Sequence, residues 1–435
     1  MSRHRPQRRK RHGSLKGTMM RHGYSQLFHF ATGFSGLLAP VAGAVNAKAG
    51  RTLAGRKGLM EAIRGGLTLD PAKPTAWFHA SSLGEFAIAR PLIERLQPDH
   101  NIVITFFSPT GYEHIKPKAH LYPNVFYLPW DTRGQARKFL DAVKPAFAVF
   151  MVSEIWHNFM VELHERHIPA YLVSALMRPG GALSRWYGSL YRDSLLRFSA
   201  IFTLNDESAA LLRKHGISTA LSLGNPLFDN ALAQSRLPYS NEIVERFAAG
   251  RPMLVAGSIH LDEDLDLVAR GVHPEVEKIL VVPHETDGPS IARLRDTFGS
   301  EALVYSECGA ATDLASARVL IIDYVGDLAR LYRYGAWAYV GGGFTRYLHS
   351  VLEPAVYGIP VAFGPVNTRK ITPSEMIREG IGRRFHTPED MRQWLRAHPA
   401  GSAQAQEIRE KARRYFDRNA GATDRILRHI MKDTI

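Results

Sequence analysis

Residues 75–85 read TAWFHASSLGE. A short, mostly apolar run of strand-forming residues enters a turn of small residues, and a helix begins at its acidic end. The same unit recurs in NIVITFF (101–107) before SPTGYE, in VFYLP (125–129) before ARKFLDAV, and in AFAVFMV (146–152) before WHNFMVELHER. AYLVSA and AIFTLN are two further strands. Apolar runs without alternation are strands buried on both faces, and helices between them predict a parallel sheet covered on both sides. The pattern pauses at Asn225–Ser240, which carries two prolines and no clear period. It resumes with MLVAGSI (253–259), KILVVPH (278–284), ARVLIID (317–323), AWAYVGG (336–342) and IPVAFG (359–364). The fold class is therefore α/β, with two Rossmann-like doubly wound domains in series and a cleft between them. In such sheets ligands sit at the carboxyl ends of the strands. The polar stretch 402–432 reads as helical and is expected to pack across the domain junction.

Composition agrees. The chain has 435 residues, 45% hydrophobic and 22% charged, which excludes a disordered chain and a polytopic membrane protein. One cysteine, Cys308, excludes a disulfide framework and a cysteine-rich zinc site. No metal-ligand cluster is legible. The net charge is +14, yet 12 basic residues precede the first acidic one, Glu61, so the remainder carries only +2. The high pI thus belongs to a basic arm over residues 1–23, expected to be disordered and to seek anionic lipid or nucleic acid. Residues 22–47 hold no charge, and 24–55 read as a membrane-associating segment, either lying on the bilayer or weakly spanning it. A buried N-terminal helix is the other reading, and Met19 or Met20 is an alternative start.

Several strand-to-helix turns carry chemistry. In HASSLGE, small residues let the backbone approach a ligand, and Glu85 is either a helix cap or a general base. Ser82 and Gly84 flank it, and SPTGYE offers Thr110 and Gly111 in an equivalent turn. SEIWHN follows a buried strand, with Glu154 and His157 able to face the same cleft. In the second half, Gly257 and Ser258 of GSIHLDED open a helix suited to an anion. VVPHETDGP, IIDYVGDLARLY and the glycine run VGGGF follow three further strands. VGGGF lacks dinucleotide spacing. Glu353, near a helix start, suits a nucleotide ribose.

The ordered set HASSLGEF, TFFSPTGYE, YLPWDT, KFLDAVKP, SEIWHN, DYVGDLARLYRYG, VGGGF and LEPAVYGIPVAFGP resembles the 3-deoxy-D-manno-octulosonic acid (Kdo) transferases, lipid A glycosyltransferases of Gram-negative bacteria. The similarity runs collinearly over roughly residues 45–385 and looks nearest to a Bacteroidetes-like branch. It implies a GT-B architecture, CMP-Kdo as donor, a lipid A precursor as acceptor, inversion at the anomeric carbon, and no metal or other cofactor. It also implies the cytoplasmic face of the inner membrane, with anionic lipid as partner and no nucleic acid. On this resemblance residues 56–235 form the acceptor-binding domain, with Ser82, Gly84, Thr110 and Gly111 on the acceptor side. Residues 236–435 form the CMP-Kdo domain. Glu85 stands at the position of the family's base, and Glu154 matches its acidic Trp-Asn motif as a second catalytic candidate. The donor contacts carried over are Gly257, Ser258, Pro283, His284, Val325, Gly326, Asp327, Gly341, Gly342, Ser350, Val351, Leu352 and Glu353. Three departures stand out: His284 in place of Arg, Ser350–Val351 in place of Asn-Pro, and SEIWHN in place of ETELWPN. Two other readings are compatible with the residues: a GT-B enzyme using a UDP-sugar, or a nucleic-acid binder driven by the basic arm.

Overall fold

The computed structural model describes residues 47–186, 188–272, 276–345, 348–366 and 370–434. The basic arm 1–23, and the 24–55 segment up to residue 46, lie outside the described residues. Among those described, no helix is long and apolar enough to cross a membrane. The segment's end forms a helix, Ala47–Ala54. Arg56, counted above with the basic N-terminus, is not part of a solvated arm. It is 8% exposed, and its Nε donates to the Leu128 carbonyl at 2.9 Å.

Two units emerge, each built around one seven-stranded, all-parallel sheet. The first unit holds β1 (Thr75–Ala80), β2 (Asn101–Phe106), β3 (Asn124–Tyr127), β4 (Phe147–Met151), β5 (Ala170–Ala175), β6 (Ala200–Thr203) and β7 (Ala220–Ser222), in the order β3-β2-β1-β4-β5-β6-β7. The second holds β8 (Met253–Ile259), β9 (Lys278–Pro283), β10 (Ala302–Val304), β11 (Val319–Ile321), β12 (Trp337–Val340), β13 (Val361–Phe363) and β14 (Gly382–Arg384), in the order β10-β11-β9-β8-β12-β13-β14. In each sheet the strand order reverses beside the first strand, between β1 and β4 and between β8 and β12. Helices leave opposite faces there, so the loops diverge and open a crevice.

The central strands are the apolar runs of the sequence, and β1, β4 and β5 are buried at every residue. Trp77 of β1 packs against Phe139, Phe150 and Phe159 with ring centroids 4.8, 5.1 and 5.5 Å away. Its indole Nε1 donates to Thr105 Oγ1 at 2.9 Å. Truncating such a ring costs about 3–5 kcal/mol. Residues 77 and 79 share a face of β1, so His79 shares that buried Thr105.

The sequence reading missed β7, β10 and β14. Each is three residues long and lies at a sheet edge. An edge strand is covered less completely, so no apolar run marks it. The stretch 225–240 was read as an aperiodic linker. It is largely a helix, Pro226–Arg236, started by Pro226 at its first position.

The division falls at Pro226/Leu227, not at 235/236, and residues 421–435 return to the first unit. Stretch 402–432 is two helices. Ala403–Asn419 belongs to the second unit, where Tyr415 and Phe416 meet Phe228 edge-on. Ala422–Thr434 belongs to the first, where Arg425 Nε donates to the Leu223 carbonyl at 3.1 Å and His429 meets Phe202.

Candidate functional sites

The first unit's candidate site lies where β1 and β4 part. β1 ends at Ala80, and the helix Leu83–Leu96 begins after two serines. Ser82 caps it, its Oγ accepting from Glu85 N at 3.4 Å. The Glu85 carboxylate folds back to accept from Ser81 N at 2.5 Å. By hydrogen bonding this is a cap, close to a capping box. By charge it is more, because burial and then the nearby Glu154 carboxylate push Glu85 up to about 8. The helix start alone would favour the ionised carboxylate. Desolvation and like charge outweigh the two backbone donors.

Glu154 follows β4. Val152, one residue beyond that strand, has φ of 59°, costly for a β-branched residue and a mark of a backbone held for position. Burial works to raise Glu154, but His79, Ser81 and Trp156 outweigh it and keep its carboxyl below the usual range. Trp156 Nε1 donates to Glu154 Oε2 at 3.0 Å, and His79 Nε2 lies 3.5 Å from the same oxygen. His79 is fully buried and burial lowers its pKa, so a neutral imidazole fits the site. Thr105 Oγ1 accepts from Trp77, lies 2.9 Å from His79 Nδ1 and can donate to the Phe78 carbonyl at 3.4 Å. With its proton on Nε2, His79 would face the Glu154 carboxylate as a donor. The result is one carboxyl poised to be protonated beside one held ionised.

His157, read as facing the cleft with Glu154, does not do so. It is 5% exposed and its Nδ1 is 2.8 Å from Ser194 Oγ. Asn158 and Asp131 are also internal. Asp131 Oδ1 accepts from Asn158 N and Phe159 N at 3.0 and 3.3 Å, capping the helix His157–Glu165. Of the acceptor-side candidates, Gly84 and Thr110 are exposed and Ser82 is half-buried. Gly111 is buried, and a Cβ there would lie 2.5 Å from Phe106 Cδ1, so its glycine serves packing.

His79 and Arg56 were missed as site-forming residues. Arg56 sits among Phe107, Trp130 and Tyr127 with centroids 4.6, 4.8 and 5.2 Å away, and burial lowers it to about 10. Phe107 in turn packs on Trp156 at 5.1 Å. The H of HASSLGE was the available signal for His79; nothing in the sequence marked Arg56.

The second unit gathers its candidates at the ends of β8, β9 and β12. Gly257 lies under Tyr332, where a Cβ would fall 2.2 Å from the hydroxyl. Ser258 has φ of 54°, at a register shift between β8 and β9. A Cβ on Gly341 would lie 2.0 Å from the Ser258 carbonyl oxygen, so β8 and β12 meet backbone to backbone. Asp264, absent from the sequence reading, ties them. Its carboxylate accepts from Gly342 N at 2.7 Å, Tyr339 Oη at 2.6 Å and His260 N at 3.2 Å, at 1% exposure. The Gly342 amide is thereby occupied.

Beyond β11, Val325 is 68% exposed and Gly326 has φ of 126°. Asp327 accepts from Tyr239 Oη at 3.2 Å and pairs with Arg330. Tyr239 belongs to a hydroxyl cluster with Tyr305 and Tyr324 around Asn241. Val351 and Leu352 are buried in the core rather than open to a ligand. Glu353 is half-buried, and desolvation raises it to about 7 against Lys370 and Ser350, which lower it. Lys370, not singled out from sequence, brings a positive charge beside it.

Pro283 ends β9, and the His284 amide donates to the Ile259 carbonyl at 2.9 Å. The ring of His284 stacks with His260 at 4.6 Å and meets His349 at 4.8 Å. Burial, then His260, lowers the pKa of His284, so it is no stand-in for a permanent arginine cation. The sequence reading found no metal-ligand cluster, yet among the described residues one grouping of histidines is close enough to be considered as one. His260, His284 and His349 offer ligand atoms within 4.8 Å of one another. They are far apart in the chain and meet only through the sheet order.

Comparison with known proteins agrees with the motif set. The family model described as 3-Deoxy-D-manno-octulosonic-acid transferase (kdotransferase) matches residues 52–230. A 3-deoxy-D-manno-octulosonic acid transferase of Aquifex aeolicus is 26% identical over 333 residues, 74% of this chain and 85% of its own. One from Bordetella pertussis is 26% identical over 377 residues, 82% of this chain and 87% of its own. Among solved structures, a UDP-GlcNAc 2-epimerase from Neisseria meningitidis superposes with TM-score 0.52 at 13% identity, covering 83% of this chain and all of its own. That likeness concerns the fold, two parallel α/β sheets of GT-B-like type. With the family model matching residues 52–230 and relatives at 26% identity collinear over most of its length, the chain is similar to the Kdo transferases, a family of glycosyltransferases.

Proposed function

We propose that this chain is a Kdo transferase that moves Kdo from CMP-Kdo to a lipid A precursor, with Glu85 as general base. The observation that carries the assignment is the Glu85 carboxyl, raised to about 8 at the β1/β4 divergence beside an ionised Glu154. A base with a pKa near the working pH combines a usable ionised fraction with real driving force. As the acceptor oxygen bonds to the anomeric carbon, the bond from that carbon to the CMP phosphate oxygen breaks on the opposite face. The acceptor proton passes to Glu85, and configuration inverts. Glu154, held by His79 and Trp156, keeps the Glu85 proton affinity high without competing for the acceptor proton.

The second unit takes the nucleotide in this reading. Gly257, Ser258, Pro283, His284, Val325, Gly326, Asp327, Gly341, Gly342 and the Ser350–Glu353 turn surround it. The hydroxyl-rich loop at Tyr324 and the charge of Lys370 are the added polar features. Glu353 orients the ribose. Val351 and Leu352 shape the turn from within the core. Acceptor chemistry suggests a protein working at anionic lipid on the cytoplasmic face of the inner membrane, with the N-terminal residues providing attachment. The PHE and VGGGF forms favour a Bacteroidetes-like branch.

The test is direct. Incubate the purified chain with CMP-Kdo and tetraacylated lipid A precursor, and weigh the product. A mass gain of one or more Kdo units is expected. Transfer from a UDP-sugar instead would replace the donor assignment.

A further inference from the structure

We propose that His260, His284 and His349 form a site for one zinc-class divalent cation, with three imidazole ligands and one exchangeable position.

The geometry comes from three separate loops. His260 follows β8, His284 follows β9, and His349 follows the glycine turn after β12. Each loop is pinned by backbone bonds. His260 N donates to Asp264 Oδ2 at 3.2 Å, His284 N to Ile259 O at 2.9 Å, and His349 N to Gly341 O at 3.2 Å. The rings pack with centroids 4.6, 4.8 and 5.7 Å apart. Their ligand atoms already lie within 4.8 Å of one another. Tetrahedral zinc with bonds of about 2.0–2.1 Å needs ligand atoms roughly 3.3 Å apart. Closing that gap of up to about 1.5 Å would fall to the χ1 and χ2 torsions of the three side chains.

Two of the imidazoles carry an unpaired ring nitrogen. The Nε2 atoms of His260 and His349 are buried and lack a hydrogen-bond partner. Buried polar atoms are normally paired, so two orphan nitrogens on neighbouring rings call for a bound group. Neutral imidazole is the ligating form. Lys370 opposes a cation here, whereas Glu285 beside His284 favours one. Three imidazoles and no carboxylate or thiolate among the grouped ligands select zinc, cobalt or nickel over magnesium or calcium. Three protein ligands leave the fourth position to water or a substrate oxygen. The site stands on this geometry alone and does not depend on the donor assignment.

The experiment uses the full chain, stripped with chelator, without nucleotide. Cobalt(II) and zinc(II) are the probes. Cobalt is expected to give the intense visible bands of tetrahedral coordination, and zinc titrated by calorimetry should displace it at one equivalent. His260→Ala, His284→Ala and His349→Ala should each weaken zinc by at least about 100-fold, since loss of even an outer-shell partner typically costs 10–100-fold. His120→Ala, exposed and in the first unit, should leave it unchanged. His284→Gln is the folding control, because an exposed residue there tolerates an amide. A weak octahedral cobalt spectrum overturns the site. So does zinc binding that persists in the triple variant, which would belong to His4, His12, His22 or His29 of the N-terminus. A failed titration leaves the transfer reaction untouched.

Discussion

Replacing Glu85 by Gln separates a catalytic base from a helix cap. Gln keeps the acceptor oxygen for Ser81 N, so the cap survives, while the basicity is lost. The Glu85 carboxyl stands at about 8 against an ordinary 4.5. At about 1.36 kcal/mol per unit, ionising it in the folded chain costs roughly 3–5 kcal/mol. The folded-state pKa is raised, so the folded chain holds a proton that the unfolded chain releases above about 4.5. The cost is therefore absent below that pH, grows between about 4.5 and 8, and is complete above 8. Wild-type kcat/KM should climb about tenfold per pH unit below 8 and then level off, because the free enzyme must ionise Glu85 to act. Glu85→Gln should cut turnover by about 10²-fold or more and flatten the profile. The same substitution should leave the melting temperature nearly unchanged at pH 4 and raise it at pH 9, since Gln carries no charge to desolvate. Rate-pH profiles and thermal scans at both pH values check this. A wild-type midpoint near 4–5, near-wild-type turnover of Glu85→Gln, or a variant less stable than wild type at pH 9 would refute the reasoning.

Further outcomes follow from neighbouring contacts. Glu154→Gln removes the like charge beside Glu85, so the midpoint of the rate-pH profile should move to lower pH; no movement would show that burial alone sets it. Asp264→Asn replaces a carboxylate that serves two amides and a hydroxyl, and should cost about 1–3 kcal/mol on unfolding while weakening CMP-Kdo binding in a titration. Gly341→Ala places a methyl 2.0 Å from the Ser258 carbonyl and should reduce donor affinity at least tenfold while the Glu85 profile keeps its shape. Full-length chain should pellet with anionic liposomes, partly released by high salt, whereas a chain lacking residues 1–47 should stay in the supernatant.

The α/β class and eleven of the fourteen strands were legible in the sequence, because parallel strands buried on both faces must be continuously apolar. The turns after them were legible for a similar reason. Small residues and a helix-starting carboxylate at HASSLGE, or the glycines at VGGGF, are local requirements of a sharp strand-to-loop transition. Their collinear order carried the family resemblance. Edge strands β7, β10 and β14 were not legible, since partial cover leaves no pattern. The allegiance of the last helix was not legible either, because an amphipathic helix does not say which core receives its apolar face. Charge states lay furthest from the sequence. Glu85 looks like an ionised cap until Glu154 and the surrounding burial are placed beside it, and His157 and Arg56 change roles once their neighbours are known. The three imidazoles of His260, His284 and His349 are scattered through the chain. Only the adjacency of β9, β8 and β12 brings them together, because proximity across a parallel sheet is set by strand order and not by separation along the chain.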